Sequence, residues 1–109
     1  MLLASTSAAV LTLPTAEQFE AMFRSARMHK REPPRDATLN LTHFDGYTQI
    51  ELCIPHRGLE ASYWAVTVTH RQAIAQARNA VLPQAEIDRR FRQAAVHLAY
   101  VAIDARKFW

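Results

Sequence analysis

The sequence predicts an α+β fold: a three-stranded antiparallel sheet, with room for a fourth short strand, and helices packed on one face in the order α-β-β-β-α-α. Three observations carry that expectation. Asp45-Gly46, between LNLTHF and YTQIELCI, is a two-residue hairpin signal of the type I′ kind. Pairing outward from that turn sets Leu41 opposite Ile50, Leu39 opposite Leu52 and Ala37 opposite Ile54, so the large aliphatics share one face. The flanking segments instead space their apolar residues by three and four, as amphipathic helices do.

Taken in order, residues 1–14 read as an N-terminal arm or edge strand, and residues 15–109 as a single domain. The opening MLLASTSAAVLTLP lacks the basic start of a signal peptide, and its Ser5, Thr6 and Ser7 interrupt a stretch too short to cross a bilayer. Thr15 with Glu17 and Gln18 is a capping box that starts the first helix. Phe19, Met22, Phe23 and Ala26 form its inner stripe; the helix runs into His29-Lys30-Arg31 and ends at Pro33-Pro34. The hairpin follows, then a loop PHRGLEAS, then a third strand YWAVTVT whose Trp64, Val66 and Val68 extend the apolar face. A second helix is expected after a cap at Thr69 or His70, with Ile74, Ala77 and Val81 inward, broken at Leu82-Pro83. The last helix, from about Gln84 to Arg106, has a core stripe of Ile87, Phe91, Ala94, Leu98, Val101, Ala102 and Ala105.

Composition narrows the function. Half of the 109 residues are hydrophobic and 21% are charged, an ordinary globular balance. One cysteine, Cys53, precludes an internal disulfide and suits a reduced, cytoplasmic setting. Nearly all the basic residues are Arg, Lys30 and Lys107 excepted, which fits GC-rich bacterial coding. Residues 37–69 carry one base against three acids and residues 70–109 seven bases against three, so an anionic partner would meet the helices. The two glycines, Gly46 and Gly58, are both used in turns, leaving none for a phosphate-cradling loop, a dinucleotide fingerprint or a nucleophile elbow.

The histidines lack the spacings of local chelates, so no metal or cofactor is expected. His43 and His70, both at strand ends, could be neighbours with Asp45 near. Cys53 lies beside Glu51, a neighbour that disfavours a thiolate. A small enzyme with a His/Cys site is therefore the third reading. The second is a nucleic-acid-binding module using Arg24, Arg27, Lys30, Arg31, Arg35, Arg89, Arg90 and Arg92. The order helix, three strands, helix is similar to that of double-stranded-RNA-binding domains, but only in topology: the helix after the third strand lacks a Lys-rich start.

The first reading is a small non-enzymatic interaction protein, a regulator or inhibitor of the mobile-element or phage type, that occupies a protein partner's surface. Two surfaces are candidates. Phe44, Tyr47 and Tyr63 share the outer face of the sheet with uncharged Thr, Asn and Gln, a composition suited to protein contacts. The last helix carries a second stripe of Val96, Ala99, Tyr100 and Ile103, with Phe108 and Trp109 beyond it. That stripe fits either burial between sheet and first helix or contact with another chain, including a homodimer. No stretch is long and apolar enough for a membrane span.

Overall fold

Thr15 begins the first helix as its sequence requires: its hydroxyl accepts from the Gln18 N–H while the Gln18 side chain accepts from the Thr15 N–H. The computed structural model describes residues 11–74 and 78–106. Its elements are α1 (Ala16–Ser25), β1 (Thr38–Phe44), β2 (Tyr47–His56), β3 (Leu59–Thr69), β4 (Arg71–Ile74), β5 (Arg78–Val81) and α2 (Gln84–Arg106). The fold is α+β, with a three-stranded antiparallel sheet in the order β1-β2-β3 and a separate β4-β5 pair.

The hairpin register is as expected, with Leu41 opposite Ile50 and Leu39 opposite Leu52. Its turn differs. Only Gly46 has a positive φ, at 89°, so the turn has the single left-handed residue of type II rather than the two of type I′. The type I′ pattern occurs instead at Met28–Arg31, where His29 and Lys30 both take positive φ (52° and 67°) and the flanking residues exchange backbone hydrogen bonds. That turn follows the end of α1 at Ser25, well before Pro33-Pro34, because the Ala26 backbone leaves the helix in an extended conformation.

PHRGLEAS is not a loop. β2 runs to His56 and β3 starts at Leu59, so Arg57-Gly58 is a second tight turn with Gly58 at φ 71°. Glu60 and Ala61 together oppose Pro55, a bulge placed where proline has no N–H to give to the ladder.

The expected helix after His70 is also absent. Arg71–Ile74 and Arg78–Val81 instead pair as antiparallel β4 and β5, with Arg71 opposite Val81 and Ile74 opposite Arg78; Ala77 lies outside the described residues. Tertiary bonds override local helix propensity here. The His70 N–H donates to Gly46 O (2.8 Å), the Leu82 N–H donates to His70 O (2.9 Å), and Arg71 Nη2 meets Asp45 Oδ1 at 2.8 Å. These hold both ends of the segment extended. Pro83 then accepts the first bonds of α2 through its carbonyl, at 3.0 and 3.1 Å, from Glu86 and Ile87. There its missing N–H costs nothing.

Both helices cover the same face of the sheet. Phe19 and Phe23 of α1, and Ile87, Phe91, Ala95, Leu98 and Ala102 of α2, are buried with Ile50, Leu52, Ile54 and Val68. Phe19 meets Phe91 edge-on at 6.3 Å. Leu11 and Leu13 pack against this core without forming a strand, and the Gln84 side chain holds both the N–H (3.0 Å) and the carbonyl (2.8 Å) of Thr12. The rest of the expected edge strand lies outside the described residues. Among the described residues, no helix is long and apolar enough to cross a membrane.

Candidate interaction surface

With the helices on one side, the alternation of the strands leaves Thr38, Asn40, Thr42 and Phe44 of β1, Tyr47, Gln49, Glu51 and Cys53 of β2, and Tyr63, Ala65, Thr67 and Thr69 of β3 on the other. Phe44 and Tyr47, paired across the turn, stack at 4.9 Å with their planes 20° apart, and both remain exposed. Tyr63 is 74% exposed. A hydrogen bond to Cys53, its cross-strand partner, pushes the phenol's pKa above its ordinary value. Asn40 donates to Glu51 across the β1-β2 pair at 3.1 Å. The three aromatics thus lie on one sheet face, with Tyr63 two strands away from Phe44.

The second stripe of α2 splits. Val96 and Tyr100 are exposed, at 39% and 41%, whereas Ala99 and Ile103 are buried within the chain. A helix covered by both a sheet and a second helix buries more than half its circumference, and Ala99 and Ile103 fall in that wider sector. Ile103 is therefore closed to a partner in this fold. Phe108 and Trp109 lie outside the described residues.

The arginines are largely engaged. Arg24 donates to Pro34 O and Ala37 O at 2.6 Å each and to Glu20 at 3.3 Å, pinning the connection from α1 to β1. Arg27 pairs with Glu32 and donates to the carbonyls of Arg24 and Ala26. Arg89 and Arg90 share Glu86, whose carboxyl they pull down to about 2. Lys30 and Arg31 are exposed at the strained turn. Arg92 lines a cleft of about 260 Å³ between the arm, α1 and α2. The cluster on α2 is thus divided, with Arg89 and Arg90 beside β3 and Arg92 beside α1.

His43 and His70 do meet, with ring centroids 6.5 Å apart, through a residue that sequence reasoning missed. Thr48 Oγ1 lies 2.7 Å from His43 Nδ1 and 2.7 Å from His70 Nε2. His43 Nε2 faces the Pro14 carbonyl at 2.8 Å and must donate to it. In neutral His43, Nδ1 is then an acceptor, Thr48 donates to it, and His70 Nε2–H donates to Thr48. Burial first, then the His43 and Arg71 charges, hold His70 below its ordinary pKa. Phe91 closes the group, 6.3 Å from His43 and 6.1 Å from His70 between centroids. Thr48 is fully buried and His70 nearly so, so a substrate has no path to the hydroxyl. The strand alternation held the signal: Thr48 falls on the inner face, directly opposite His43. Among the described residues, no three His, Cys, Asp or Glu side chains gather to hold a metal ion.

A groove of about 490 Å³ runs between Val66–Thr69 of β3 and the α2 residues Arg89, Arg90, Gln93, Ala94 and His97. No protein family, no curated protein and no solved structure matches the chain.

Proposed function

We propose that this chain is a small non-enzymatic interaction protein, a regulator or inhibitor that acts by occupying a protein partner's surface. The observation that carries this reading is the sheet face opposite the helices. It bears a stacked Phe44-Tyr47 pair and an exposed Tyr63 among Thr, Asn and Gln, with Glu51 as its one charged strand residue. Exposed aromatics on a nearly neutral face suit a protein contact, where Tyr is enriched and charge depleted, better than a phosphate backbone. The engagement of Arg24 and Arg27 by internal acceptors weighs in the same direction. The test is capture from a cell lysate with and without nuclease, using the wild-type chain and a Tyr47→Asp, Tyr63→Asp variant. Capture of a protein that survives nuclease and is lost in the variant supports the reading. Capture that disappears with nuclease overturns it in favour of nucleic acid.

A further inference from the structure

Among the described residues, β3 is an outer strand of the sheet, and most of its length carries none of the devices that block such an edge. It has no proline, lysine or arginine, and its one charge, Glu60, sits at the bulge near its start. The direction of its backbone groups follows from the two-residue turn at Asp45-Gly46. Phe44 and Tyr47 are a hydrogen-bonded pair, so β2 turns its even-numbered residues toward β3. Their partners Ser62, Trp64, Val66 and Val68 then point inward, and Tyr63, Ala65, Thr67 and Thr69 direct their N–H and C=O groups to the free edge. Arg90 Nη1, 3.5 Å from Thr69 O, approaches the edge from that side. The edge opens into the groove walled by α2, where half-buried Val66 and Ala94 leave an apolar floor. At the Thr69 end two guanidiniums face a single carboxylate, Glu86, leaving a net positive charge.

We propose that this groove binds an extended segment of a protein partner, which adds along β3 as a fourth strand and sets an acidic side chain against Arg89 and Arg90. A row of outward N–H and C=O groups is satisfied in register only by another extended backbone, while alternate side chains of the guest drop onto Val66 and Ala94. The charge at one end selects an acid. A lone segment enters without a helix of its own. A second copy of β3 would carry its own α2 to the same side of the sheet, against Gln93 and His97. The inference rests on the protein-interaction reading but uses a different surface from the aromatic face.

The test selects a displayed library of random decapeptides on the full chain, then follows one enriched peptide by amide exchange. Enriched sequences should alternate apolar residues and carry an acid, and the peptide should slow exchange at Tyr63, Ala65 and Thr67. Thr67→Pro removes one outward N–H and no β2-β3 bond, and should weaken binding roughly tenfold or more. Arg89→Glu with Arg90→Glu should shift selection toward basic peptides, which keeps the test sharp if the proline variant unfolds. Peptides that leave those amides unprotected, or bind the folded Thr67→Pro variant equally well, overturn the proposal. So does concentration-dependent protection of the same amides without peptide, which would make a second copy the occupant. Binding unaffected by Phe44→Asp with Tyr47→Asp, both away from the β3 edge, separates this site from the aromatic face, so either can fail alone.

Discussion

Thr48 is tied to two imidazoles at once through its hydroxyl. Thr48→Val keeps the shape but leaves the buried His70 ring nitrogen without a partner. It is expected to cost about 1–3 kcal/mol, read from urea unfolding. The same group makes stability depend on pH. Because His70 is held below its ordinary value, the unfolded chain takes up a proton there before the folded chain does. Stability is therefore flat above about pH 6.5 and falls as the pH drops below it. A lower unfolding midpoint at pH 5 than at pH 7, with a smaller gap in His70→Gln, is the expected result. The meeting of His43 and His70 was legible, since both end strands whose register the turn determines. The role of Arg24 was not: it reads as a solvent-facing cation, and its acceptors belong to the Pro34–Ala37 connection, whose path no local pattern dictates.

At the scale of elements, the three sheet strands, α1 and α2 follow from pattern because each has a face to bury and a period that matches it. The type of the Asp45-Gly46 turn, the Met28–Arg31 turn and the 71–81 segment did not. A helix-like composition there is outweighed by bonds to Gly46, Asp45 and Leu82, which are distant in sequence and invisible to a window of neighbours. The Met28–Arg31 turn is the strained element: it holds two successive non-glycine residues at positive φ, and Lys30 is not a residue that favours it. His29→Asn with Lys30→Gly should raise stability by about 1 kcal/mol or more, measured by thermal or urea unfolding. An unchanged midpoint would mean that the left-handed pair costs nothing where it stands.

For the molecule as a whole, placing both helices on one face decides which apolar residues remain for partners. Tyr100→Glu should leave a folded chain, whereas Ile103→Glu should unfold it, because only the second puts a charge inside. Circular dichroism of the two single variants checks this; equal loss of structure would place Tyr100 in the core. The sequence showed that α2 is apolar on more than one side, but not where α1 would stop covering it. The bond from the Leu82 N–H to the His70 carbonyl has a last consequence. The chain leaves the body at His70 and returns one hydrogen bond away, so residues 71–81 are a cassette with fixed ends. Homologues should differ in length there before they differ anywhere in the sheet, and an epitope or a reporter domain grafted between His70 and Leu82 should leave the scaffold intact.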